Sequence, residues 1–145
     1  MKKSRQGTGR DELRRAAPYR RCENTGLCPT LDALFGEACR ALMQVMYGGD
    51  RSGGTTRSID LDAPDQESLL CDFLSEVLYV SEVDGLVFRQ ADVRLDGMQI
   101  HAVLDGEPFD PVRHNKGTEV KGISYSGLSI QEDAKGYMLD ILFDV

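Results

Sequence analysis

Tryptophan is missing from this chain, and Phe and Tyr together make up only 7% of it, so its core must be built from aliphatic side chains with a few aromatic anchors. Histidine occurs twice, at His101 and His114, and Cys22, Cys28, Cys39 and Cys71 form no C-x-x-C pair, which removes the common zinc spacings. No apolar run approaches the roughly 18 residues a membrane-spanning helix needs. After the basic start Met1-Lys2-Lys3, charged residues continue to Arg21 where a secretory signal would need an apolar stretch. A soluble, cytoplasmic protein is therefore expected, with all four thiols reduced and mostly buried as small hydrophobes. A G-x-S-x-G elbow, a P-loop and a G-x-G-x-x-G loop are all missing. Acid pairs such as Asp60 and Asp62 arise by chance among 24 acids and do not by themselves make a hydrolase.

What is present begins with acid. Through Arg21 eight Lys/Arg face two acids, whereas the remainder holds nine Lys/Arg against 22 acids, for a net charge of −7 over 145 residues. A body so negative repels nucleic acid phosphates and suits a basic protein partner or a hard cation. No sequence-specific nucleic acid binding is expected. The basic leader could touch RNA, but residues 1–16 have little to bury and read first as a flexible tail ahead of one domain over 17–145.

Within that domain the elements announce themselves by their ends. Thr30 can N-cap a helix whose apolar positions Leu31, Leu34, Phe35, Ala38, Leu42, Val45 and Met46 recur at helical spacing, with Gly48-Gly49 as its stop. Thr55 to Leu61 alternates as a strand. Asp65 can cap a second helix carrying Leu69, Leu70, Phe73, Leu74, Val77 and Leu78, closed by Asp84-Gly85. Leu86 to Leu95 and Met98 to Leu104 flank Asp96-Gly97, a strong hairpin signal. Gly106 to Thr118 reads as a loop, Glu119 to Ile130 as a strand with a bulge at Gly122 or Gly127, and Tyr137 to Asp144 as the last strand. This order predicts an α+β domain, a mainly antiparallel sheet covered on one face by two amphipathic helices.

Along the last strand Leu139, Ile141 and Phe143 share one face and Asp140, Leu142 and Asp144 the other, so Asp144 lies opposite the apolar row, beside the chain's final carboxylate. A frayed acidic terminus and a site for a hard cation both fit that pattern. The other polar constellation is Glu107, Asp110, His114, Glu119 and Lys121, in a segment stiffened by Pro108 and Pro111. A lone lysine among acids is ordinarily a salt-bridge partner rather than a catalytic amine.

Gly106-Glu107-Pro108-Phe109-Asp110, then His114, Gly117-Thr118-Glu119-Val120-Lys121, Tyr125 and the terminal Phe143-Asp144-Val145 resemble the closing segment of the archease family. The likeness extends over roughly residues 30–145. It implies a non-catalytic accessory protein that stimulates guanylylation and multiple turnover of the RNA ligase of tRNA splicing. It also implies Ca²⁺ or another divalent cation held by Asp144 and the backbone of Val145, with Asn24 standing where the family carries an aspartate. Glu107, His114, Glu119 and Lys121 become contact or support residues for the partner. Ser126 replaces the histidine often found after the tyrosine, so nothing that histidine does carries over. An Asn carbonyl brings no charge, which weakens a Ca²⁺ site; the alternative is therefore a chaperone-like or structural interaction protein that has lost the metal-dependent role.

Overall fold

The computed structural model describes residues 16–19 and 28–145. Its first helix, α1 (Leu31–Tyr47), starts where Thr30 turns extended and its hydroxyl accepts from the Ala33 N–H at 3.1 Å; it stops where the Gly48 N–H returns to the Gln44 carbonyl at 2.9 Å. The second, α2 (Gln66–Asp84), is capped by Asp65, whose carboxylate accepts from the Ser68 N–H at 2.8 Å, and ends at Gly85 in left-handed conformation. Each cap satisfies donors that the first helical turn would otherwise leave bare.

Among the described residues six strands accompany them: β1 (Ala16–Tyr19), β2 (Thr55–Asp62), β3 (Leu86–Asp96), β4 (Gln99–Pro108), β5 (Gly122–Asp133) and β6 (Gly136–Asp144). Every pairing is antiparallel, as the sequence predicts, but the strands divide into two sheets rather than forming one. β4 lies between β2 and β3; β6 lies between β1 and β5. Because β3 and β4 close on Asp96-Gly97 while β5 and β6 close on a separate turn, the two hairpins are local units, and only packing decides whether they join. The helices hold them together: α1 packs on β3 and reaches β6, while α2 packs on β5 and reaches β2 and β3. The rings of Phe35 and Phe73 meet between the helices with centroids 6.1 Å apart, inside a single core that also takes Phe88, Leu104, Leu139, Ile141 and Phe143.

Four local expectations change. β1 occupies Ala16–Tyr19, where no strand was expected; Pro18 has no N–H, which an outer strand tolerates. Residues 1–15 of the expected tail lie outside the described residues. β4 runs on to Pro108, absorbing Gly106, Glu107 and Pro108 from the predicted loop, because its partner β3 reaches back to Leu86. β5 starts at Gly122 rather than Glu119 and slips register between Ser124 and Ser129, around Gly127. Finally, Cys39 and Cys71 are free thiols, and burial pushes Cys39 up to about 12, but Cys28 is disulfide-bonded. A disulfide depends on how two backbones approach, which spacing along the chain does not reveal.

Candidate functional site

β6 is the central strand of its sheet, and its end is fixed from both sides: Asp144 pairs with Ala16 on β1 and with Gly122 on β5. The Lys121 N–H donates to the Asp144 carbonyl at 2.7 Å. Alternation along β6 buries Leu139, Ile141 and Phe143 and leaves the Asp144 side chain in solvent, while Val145 is half-buried against the core. A strand end braced on two sides has little freedom to fray, so the carboxylate projects from a firm base. Lys121 and Glu119 are exposed on either side of buried Val120, and neither side chain makes an ion pair among the described residues. Tyr125, 53% exposed, lies farther along β5, its hydroxyl 3.4 Å from the Ser68 hydroxyl on α2.

Glu107 and His114 lie elsewhere and are occupied. The Glu107 carboxylate accepts two bonds from Arg113 (2.9 and 2.8 Å), one from the Ser52 N–H (2.8 Å) and one from His114 Nε2 (3.0 Å). Arg113 also reaches Asp50 at 3.2 and 3.3 Å. The Asp110 N–H donates to His114 Nδ1 at 2.9 Å, which places the ring proton on Nε2, facing Glu107. The hydrogen bonds from Arg113 lead in holding Glu107 down to about 2, and the bonds to Glu107 and Asp50 in turn raise the Arg113 guanidinium. His114 is 1% exposed, with its ring 5.9 Å from that of Phe109. The node thus ties the end of β4 to the Asp50–Ser52 turn and to the loop that crosses from one sheet to the other. That loop is seated on α1 by the Thr118 N–H, which donates to the Val45 carbonyl at 2.8 Å. Gly117 permits this approach, since a Cβ there would overlap the Val45 carbonyl oxygen.

The six predicted residues within the described structure therefore separate. Asp144, Val145, Lys121 and Glu119 belong to the end of the β6 sheet or the link into it, whereas Glu107 and His114 anchor that link from below. Asn24 lies outside the described residues. Arg113, which joins Glu107 to Asp50, escaped the sequence reading; its signal was a single arginine spaced among Glu107, Asp110 and the acids of the acidic body. Among the described residues no three His, Cys, Asp or Glu side chains stand close enough to hold a metal. A cation at Asp144 would thus have to draw on main-chain oxygens and on residues beyond those described, with hard oxygen donors suiting Ca²⁺. No described helix is long and apolar enough to cross a membrane.

A small two-helix α+β domain with an exposed acidic strand end defines the class. Comparison with known proteins supplies the family. Residues 25–145 match the model of the Archease protein family (MTH1598/TM1083). The protein archease of Methanosarcina acetivorans is 38% identical over 122 residues, covering 80% of this chain and 84% of that protein. The Pyrococcus abyssi archease is 30% identical over 126 residues, covering 83% and 89%. Among solved structures, the Thermotoga maritima protein described as an archease and possible chaperone superimposes with a TM-score of 0.60 at 14% identity, over 90% of this chain and 89% of that one. The solution structure of Methanobacterium thermoautotrophicum protein 1598 gives 0.65 at 17% identity over 90% and 91%. This chain belongs to the archease family.

Proposed function

We propose that this chain is a non-catalytic activator of the RNA ligase of tRNA splicing, favouring guanylylation and multiple turnover. The observation that carries the proposal is the braced end of β6, where the Asp144 carboxylate stands in solvent while its main chain is held by Ala16, Gly122 and Lys121. An acidic group on a firm support can enter a neighbour's cationic site without first being ordered, which lowers the entropic cost of docking. The helper acts either by presenting carboxylates, with or without a bound divalent cation, or by binding the ligase's competent conformation more tightly than its idle one. Asp144, the Val145 backbone and Asn24 would hold such a cation, Ca²⁺ by the hardness of the oxygens, and its chemistry there is to concentrate positive charge at the strand end. Glu119 and Lys121 flank the contact, and Glu107 and His114 hold the segment that carries them.

The test is a ligase turnover assay with and without this protein. Multiple turnover should rise with the wild type and return to the unstimulated level with Asp144→Ala. No stimulation by the wild type would sink the proposal. Calorimetric titration with Ca²⁺ decides the metal: heat that disappears in Asp144→Ala supports a cation site. Asn24, uncharged where the family carries an acid, favours a second reading, a chaperone-like interaction protein without metal-dependent activation. That reading gains if the wild type binds the ligase yet neither takes up Ca²⁺ nor stimulates turnover.

A further inference from the structure

The helix α2 contains Glu67, Asp72, Glu76, Glu82 and Asp84 but no Lys, Arg or His. Glu67 accepts from the Ile130 N–H at 3.0 Å and Asp84 pairs with Arg57 at 2.9 Å, so both are accounted for. Asp72, Glu76 and Glu82 make no ion pair among the described residues, and they share the helix's outer face with Tyr79 and Val83, which are 60% and 61% exposed.

Tyr79 and Val83 stand one helical turn apart and therefore form one apolar strip. Beyond the last turn the Phe109 N–H donates to the Gly85 carbonyl at 2.8 Å, setting the 45%-exposed Phe109 past the end of the same helix. The charges around the strip work against the helix. Asp72 and Glu76 are like charges four residues apart, and Glu82 adds negative charge in the last turn, at the negative end of the helix dipole, where the helix itself has no basic residue and Arg57 is already paired with Asp84. Cations brought by a partner would relieve both repulsions, whereas another acidic surface would add to them.

We infer that the outer face of α2 is a docking surface for a lysine- and arginine-rich protein segment with an apolar side chain that seats on Tyr79 and Val83. The inference rests on the proposed function for the identity of its owner, the RNA ligase, and gives that ligase a second contact away from the β6 end. A surface of this kind sets affinity and encounter rate, not the chemistry of the ligase site. It predicts that binding and activation separate by mutation.

The experiment measures affinity of purified ligase for the immobilised full chain at low and high salt, alongside stimulation of guanylylation. Glu76→Lys/Glu82→Lys and Tyr79→Ala should each weaken binding about tenfold, with the wild-type affinity itself falling as salt rises. Glu76→Gln/Glu82→Gln should fall between wild type and the lysine pair. Asp144→Ala should lose stimulation, whereas the α2 variants should keep it at saturating concentration, and Asp144→Ala combined with Tyr79→Ala should weaken binding by the product of the two separate factors, because the two contacts are distinct. Far-ultraviolet circular dichroism should show all variants folded. Wild-type binding with unchanged affinity in every α2 variant would overturn the surface and leave the activator reading standing. No binding by the wild type would overturn both. A free-state dimer split by Tyr79→Ala would give the face to a second copy, and carbodiimide cross-links from Lys2 or Lys3 to Glu76 or Glu82 in the free chain would give it to the chain's own leader; either result overturns the inference.

Discussion

Two carboxylates, Glu107 and Asp144, stand in contrasting surroundings. Glu107 is surrounded by donors from Arg113, Ser52 and His114, so its hydrogen-bonding capacity is spent inside the molecule and its effect is to fix the loop between the sheets. Asp144 has its main chain fixed by both neighbouring strands and its side chain exposed to water. The residue type is nearly the same, but one group is consumed by the fold and the other is left open to solvent. A polar side chain is available for function when its support is satisfied and its own tip is not.

The largest test of this contrast uses adjacent residues. Phe143 is fully buried and Asp144 is exposed on the opposite face of β6. Phe143→Ala should cost about 4 kcal/mol of stability, through lost burial and the cavity left behind, read as a fall in the urea midpoint. A loss under about 1 kcal/mol would show that the end of β6 is not integrated into the core.

Glu107→Ala comes next. It removes the acceptor of four hydrogen bonds and strands the buried His114 Nε2 donor, so a loss of about 2 kcal/mol is expected, smaller than for a buried ion pair because Arg113 keeps Asp50 and some water. The same group sets a pH window. Its folded value, about 2, lies below its ordinary 4.5, so its stabilising contribution is complete above about pH 4.5 and is lost as pH falls through about 2. Thermal melts should decline over that window in the wild type and decline less in Glu107→Gln. Asp50 and Asp105, both also held low by arginine or main-chain donors, should keep some slope in the variant. Parallel curves would show that the node contributes nothing at low pH.

How much of this was legible in the sequence depends on the range of the interaction. Thr30, Asp65, Gly85 and Asp96-Gly97 act on residues three or four positions away, and the caps and hairpin they predict are present. The apolar row on β6 was equally plain, since alternation needs no partner. β1 was not, because Ala16-Ala17-Pro18-Tyr19 has weak strand character and is held in place by β6 from the opposite end of the chain. Nor was the division into two sheets, which turns on how α1 and α2 pack. At the candidate site, Asp144 could be placed from strand period alone, whereas the enclosure of Glu107 and His114 required Arg113 and Ser52, brought together by folding over as many as 55 residues of chain.

The smallest expected effect on stability is the most informative about function. Asp144→Ala removes an exposed side chain while leaving the main-chain bonds of Asp144 to its neighbours, so stability should stay within about 0.5 kcal/mol of wild type. Stimulation of the ligase should nevertheless disappear. Glu107→Ala should show the reverse: a marked loss of stability, with stimulation retained at temperatures and pH where the variant remains folded. Measured together as urea midpoints and turnover rates, the two substitutions form a crossed pair. If Asp144→Ala lowered both quantities in proportion, the strand end would be a structural element, and the distinction between a satisfied carboxylate and an offered one would not hold in this molecule.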